Sequence, residues 1–210
     1  DSVYSNSDNW CKPLNIEKSF AFSKKQPIFE HLTWAGWVGY IDGVPSGRIT
    51  AQIDKLYDDK ENCKTGFIGF FEACHNDELI KSLFTVAETW LRQRSIKKIL
   101  GPFSFNINQE VGLLIEGFKT PPYIMMPNGK KYYKEAFEKN GYNKSMDTYC
   151  YDIAARFTPP PVMRKLIKKL PSELKVRALN KHKITEDLET LRLIFNDAWS
   201  ENWGFTPFTK

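Results

Sequence analysis

The chain has 210 residues, of which 41% are hydrophobic, 14% aromatic and 26% charged, with a formal net charge of +5. That is more apolar surface than a disordered chain carries, and no run approaches the roughly 18 apolar residues of a membrane-crossing helix, so a folded chain without a transmembrane segment is expected. The excess charge is local: residues 1–155 hold 19 Lys and Arg against 19 Asp and Glu, whereas residues 156–210 hold 11 against 6.

Residues 1–11 are polar and lack the basic-then-apolar pattern of a signal peptide. The cysteines (Cys11, Cys63, Cys74, Cys150) form no Cys-x-x-Cys pair and have only His31, His75 and His182 to join them, so no metal site is expected. Reduced thiols and a cytoplasmic location follow as expectations. The first strong structural signal is a pair of β-rich runs, 33–40 (TWAGWVGY) and 46–53 (SGRITAQI), around Asp42-Gly43. Glycine supplies the positive φ of a tight turn, so the two runs predict a hairpin. After a polar loop, residues 65–73 (TGFIGFFEA) are nearly continuously apolar and too short for a helix, which predicts a buried central strand.

Residues 77–94 place Leu79, Leu83, Phe84, Val86, Ala87, Trp90 and Leu91 at helical spacing, with Asn76 or Asp77 available as a cap. A strand over 98–103 (KILGPF) follows, and strand, helix, strand with short links predicts a right-handed parallel unit. Next come a short helix over 108–116, a helix over 130–139 stopped by Asn140-Gly141, and a strand over 142–154 in which Tyr149, Tyr151 and Ile153 alternate.

The prolines at 159–161 prevent helix and strand alike and mark a boundary. The expected organisation is a first domain over 1–155, a Pro-rich linker over 156–161, and the start of a second unit over 162–210. The last part reads as a basic amphipathic helix (162–170), a strand (174–179) and a helix (186–201) with a stripe of Leu188, Leu191, Ile194, Phe195 and Ala198. Some 50 residues cannot close a core alone, so this part is expected to cover Trp199, Trp203, Phe205 and Phe208 by docking on the first domain or on another copy, giving a homo-oligomer. The basic helix reads as a solvated connector, or as a surface for an anionic membrane or phosphate backbone. No recognised nucleic-acid motif accompanies it, and no nucleic-acid partner is expected.

The order of a β-hairpin, a β-α-β unit, a helix and a last strand resembles the GNAT-type N-acyltransferase superfamily over residues 32–153. Three stretches carry the likeness: Gly47-Arg48-Ile49-Thr50-Ala51, Gly69-Phe70-Phe71-Glu72, and FEKNGY at 137–142, where the superfamily reads Tyr-x-x-x-Gly-Phe. The wording from Val176 into ITEDLETLRLIFNDAW is similar to the opening of a second such domain. The resemblance implies a mixed α/β fold, with a central sheet whose parallel strands splay apart between flanking helices. It also implies transfer of an acyl group from acetyl-CoA, acyl-CoA or another acyl thioester to an amine-bearing small molecule.

In the superfamily the pantetheine arm pairs with the backbone of one splayed strand, which implies Phe70, Phe71 and Ala73 here. The pyrophosphate sits on the next helix N-terminus, which implies Cys74 and Asn76. Asp77 and Glu78 stand in that stretch, and the superfamily's glycines are absent. Carboxylates there would repel a phosphate, or they serve only to stabilise their own helix. A catalytically inactive scaffold is the alternative that this departure supports. For chemistry, Glu72 is the expected base. Phe137 occupies the usual position of the acid, so Tyr133, one turn earlier, is the substitute. Asn106 and Asn108 either bind a ligand at the strand ends or form a turn. Cys74-His75 is a weaker nucleophile candidate.

Overall fold

A computed structural model describes residues 2–4, 10–57, 64–154, 156, 158–171 and 177–210. Strands β1 (Leu32–Ile41), β2 (Val44–Asp54), β3 (Thr65–Ala73) and β4 (Lys98–Leu100) form one mixed sheet in that order. The β1–β2 and β2–β3 pairs are antiparallel, and β3–β4 is parallel. Between β1 and β2 both turn residues, Asp42 (φ 49°) and Gly43 (φ 78°), are left-handed, which is the geometry that matches strand twist in a two-residue hairpin.

Helix α2 (Asp77–Arg92) links the parallel strands and buries Leu79, Ile80, Leu83, Phe84, Ala87 and Leu91. These side chains pack on Ile49, Ala51, Ile68, Phe71 and Ala73 of the sheet. Helix α3 (Tyr133–Lys139) adds Tyr133, Ala136 and Phe137 to the same core. It ends at Gly141, whose φ of 86° suits glycine.

The strand expected over 98–103 is shorter than its sequence implies. Pro102 has no N–H to continue the ladder, and β4 stops at Leu100. The chain then crosses the other face of the sheet, where β5 (Phe103–Ser104) pairs with β6 (Glu110–Val111) in a separate ribbon. The crossing is close: a Cβ on Gly69 would lie 1.6 Å from the Phe103 carbonyl oxygen. Buried Gln52 secures it, with Nε2 donating to the Phe103 and Phe105 carbonyls at 2.6 and 3.2 Å. On that face the rings of Phe22, Trp34, Phe70 and Phe105 pack edge to face or tilted. Phe22 follows helix α1 (Asn15–Ala21).

Three further expectations are corrected. Residues 108–116 are not helical, because β6 takes part of the run and Gly112 turns out at φ 90°. Residues 142–154 form no strand. Tyr149, Tyr151 and Ile153 are exposed, and β4 is too short to offer them an edge. Of the strand expected over 174–179, residues 174–176 lie outside the described residues, and 177–179 are not a strand.

Helices α4 (Pro161–Lys168) and α5 (Ile184–Trp199) follow. The stripe on α5 is mostly open, with Leu188, Leu191, Ile194 and Ala198 exposed. The tail beyond it reaches the first part of the chain: Thr206 is buried, its carbonyl accepts from Asn108 Nδ2 at 3.0 Å, and Trp203 meets Phe103 at 6.0 Å. Trp199, Trp203 and Phe208 nevertheless remain exposed, so their expected covering is incomplete. No helix of the described residues is long and apolar enough to cross a membrane.

Candidate functional site

At the end of β3 the ladder with β2 slips. Arg48 pairs with Glu72 and Thr50 with Gly69, so β3 spends one more residue than β2 over that step. Phe70 takes up the bulge at φ 46°. A bulge re-aims the side chains that follow it. Here it makes Glu72 the cross-strand neighbour of Arg48, at the strand end.

Two phenols converge on Glu72. Tyr4, in the 3₁₀ turn Ser2–Tyr4, donates to Oε2 at 2.6 Å, and Tyr133, on α3, donates to the same oxygen at 2.7 Å. The other oxygen, Oε1, lies 4.0 Å from Arg48 Nη2, and the Glu72 side chain is 21% exposed. Burial raises the Glu72 pKa above the ordinary carboxylate value, and the hydrogen bonds from Tyr4 and Tyr133, with the Arg48 charge, oppose it. Burial, and then the nearby Glu72 charge, push both phenols well above their usual range, so they stay protonated donors at neutral pH.

Each phenol is itself held. The Tyr4 ring stacks on Trp10 at 5.5 Å, and the Lys130 ammonium lies 4.8 Å from its centroid. The Tyr133 ring meets Phe71 edge to face at 5.0 Å, and its hydroxyl accepts from the Ala73 N–H at 3.1 Å. Tyr132, beside it, donates to the Ala73 carbonyl at 2.7 Å and stacks on His75 at 4.4 Å. Burial, followed by the charges of Cys74 and Glu72, moves the Tyr132 hydroxyl up to about 12. Both backbone groups of Ala73 are thus satisfied by the phenols of Tyr132 and Tyr133, at the start of α3.

The remaining expected residues sort by what they touch. Phe71 is in the core under α2, whereas Phe70 points to the aromatic cluster on the other face. Asn76 Oδ1 accepts from the Leu79 N–H at 2.8 Å and caps α2. Asp77 and Glu78 are exposed, and Asp77 pairs with Lys139 of α3 at 3.2 Å. The Cys74 N–H is bonded to the Ser46 carbonyl, and His75 lies flat on Tyr132. Buried Asn106 accepts the Asn108 N–H at 3.1 Å, the local turn that its residue type favours. Among the described residues, no group of three or more His, Cys, Asp or Glu side chains could hold a metal ion.

The structure therefore brings Glu72 and Tyr133 together and adds Tyr132 and Arg48 around them. Tyr4 was missed, and no local pattern could have found it: it sits in a polar stretch, 68 residues from its partner.

No family model matches the chain, and no solved structure matches it. It is 41% identical over 210 residues to Protein YghO of Escherichia coli strain K12. It is 37% identical over 205 residues to a protein of Caulobacter vibrioides named bacterial ceramide synthase. These matches take in 100% and 96% of this chain but 54% and 53% of the relatives, so the chain spans about half the length of the curated relatives it matches.

Proposed function

We propose that this chain carries the proton-transfer site of an acyltransferase that moves an acyl group from a thioester to the amine of a long-chain amino alcohol. The observation that carries the reading is the Glu72 carboxylate, half-sheltered at a bulged strand end, with both phenols on one oxygen and the other left toward Arg48. The acceptor class is taken from the relative named ceramide synthase, since a ceramide is the amide of such an amine.

In this reading, Glu72 Oε1 takes a proton from the amine as its nitrogen attacks the thioester carbonyl carbon. The tetrahedral adduct then expels the thiolate, which leaves as a thiol after receiving from Glu72 Oε1 the proton taken from the amine. Tyr133, kept protonated by burial, stays hydrogen-bonded to Oε2 and holds the carboxylate in place. One amide and one thiol form per thioester, with no net proton change at the protein. A base of raised pKa is better matched to this task near neutral pH than an ordinary carboxylate.

The donor's head group is the part of the resemblance that the residues fit least. Pairing of a pantetheine arm at Ala73 requires Tyr132 and Tyr133 to release its backbone. Asn76 already occupies one amide of the α2 N-terminus. A donor recognised mainly through its acyl chain and thioester fits these residues better than one anchored by a pyrophosphate at that helix end.

The test is to incubate the chain with a long-chain amino alcohol and fatty acyl thioesters of CoA and of acyl carrier protein. Thiol release is followed with a chromogenic disulfide and amide formation by mass spectrometry. Thiol and amide should appear in equal amounts and be lost in Glu72→Gln. Thioester hydrolysis without amide, or undiminished turnover in Glu72→Gln, would overturn the proposal.

A further inference from the structure

The surplus positive charge has a structural address in α4. None of the α4 side chains is buried, and the turn continues through Leu170, whose N–H bonds to the Ile167 carbonyl. At helical spacing Val162, Met163, Leu166, Ile167 and Leu170 share one arc, while Arg164, Lys165, Lys168 and Lys169 share the other. The apolar arc lies open, with Val162 65%, Leu166 61% and Ile167 55% exposed. No Asp or Glu occurs from residue 153 to 172.

We propose that α4 docks in the plane of an anionic lipid surface, with its apolar arc in the acyl boundary and its four cations at the headgroups. Ordinary surface helices mix both signs of charge on their polar face, whereas interfacial helices carry Lys and Arg there and bury the opposite arc. The α4 of a second copy would cover the apolar arc but bring no carboxylate to the four cations. An anionic headgroup layer complements them.

So short a helix binds weakly without a second contact, and the structure offers one of the same composition. Residues 117–134 also lack Asp and Glu, and their turn presents Tyr123, Ile124 and Met125 to solvent, Ile124 being 93% exposed. Lys119 and Lys131 flank it. The inference goes beyond acyl transfer and stands without it, because neither α4 nor the turn at Tyr123, Ile124 and Met125 contributes to the Glu72 cluster and the readout below involves no turnover.

Co-sedimentation with phosphatidylcholine vesicles, alone or mixed with phosphatidylglycerol, tests it. The chain should partition onto the anionic vesicles, weakly onto the neutral ones, and release at about 0.5 M salt, where screening is short-ranged. Lys165→Gln with Lys168→Gln should lower the anionic partition coefficient about 30-fold, from about 1 kcal/mol per surface cation. Leu166→Ser with Ile167→Ser, and separately Ile124→Ser, should each lower it at least about fivefold. All these side chains are exposed, so an unchanged melting curve establishes that the variants fold. No partition onto anionic vesicles, or equal partition by wild type and both α4 variants, overturns the proposal. So does salt-sensitive binding to a DNA duplex in place of vesicles, or self-association that the Leu166/Ile167 variant abolishes without vesicle binding.

Discussion

Replacing Tyr4 by phenylalanine deletes one oxygen and leaves the ring, its stack on Trp10 and the Lys130 contact in place. What goes is a 2.6 Å hydrogen bond to Glu72 Oε2. Hydrogen bonds to charged groups contribute about 1.5–3 kcal/mol, and this one favours the ionised carboxylate over the neutral acid. At 1.36 kcal/mol per pKa unit, its loss should move the Glu72 titration up by about one to two pH units, on top of the elevation that burial already causes. Carbon-13 NMR titration of labelled Glu carboxyls reads this without any substrate, with Glu72→Gln identifying the resonance. If the chain turns over thioesters, the acid limb of its kcat/KM profile should move by the same amount. Tyr133→Phe should shift the titration in the same direction, and Tyr40→Phe, on an exposed ring, should leave it in place. A Glu72 resonance that titrates at the same pH in Tyr4→Phe, or at a lower one, would refute the donor geometry.

Three other outcomes follow from the same contacts. Since the folded-state pKa of Glu72 is raised, the folded protein holds a proton that the unfolded chain releases. The associated stability is complete below the unfolded value and is lost as pH rises through the folded one. The difference in thermal midpoint between wild type and Glu72→Gln should therefore shift against wild type across that window, and the opposite slope would contradict the raised pKa. Gly69→Ala forces a Cβ onto the Phe103 carbonyl and should cost at least the upper end of the about 1–3 kcal/mol typical of overpacking, by urea denaturation. A loss below about 0.5 kcal/mol would mean that the β5 crossing is not that close. Asn76→Ala should cost about 1 kcal/mol as a lost N-cap, while Asp77→Ala, breaking an exposed ion pair, should cost less than about 0.5. The reverse order would remove the capping assignment.

Elements specified by their own residues were legible in the sequence. Asp42-Gly43 dictates its hairpin because both positions need positive φ, and the apolar run of β3 ends in the structure where it ends in the sequence. The α2 stripe and its cap depend only on spacings of three and four residues. Where a partner decides, local reading failed. The expected helix over 108–116 gives way to the ladder with β5 and the turn at Gly112. Tyr149, Tyr151 and Ile153 alternate as a strand should, yet alternation forms a ladder only against a free edge, and β4 offers three residues before Pro102 ends it.

The site divides along the same line. Glu72 and Tyr133 were reached through a resemblance that places an acid at a strand end and a phenol on a later helix. The donor that completes the pair, Tyr4, comes from a stretch whose composition predicts nothing. A carboxylate at the end of an apolar strand has two ways to be satisfied, by water or by donors brought from afar, and sequence cannot tell them apart. The second costs conformational freedom, since it must fix both the N-terminal turn and α3 against β3. It also makes one group answer to two demands. Glu72 is the anchor at which three elements meet, so any change that alters its protonation alters their attachment. Neutralising Glu72 therefore loosens the N-terminal turn through Oε2, and hydrogen exchange at Tyr4 should quicken as Glu72 takes up its proton.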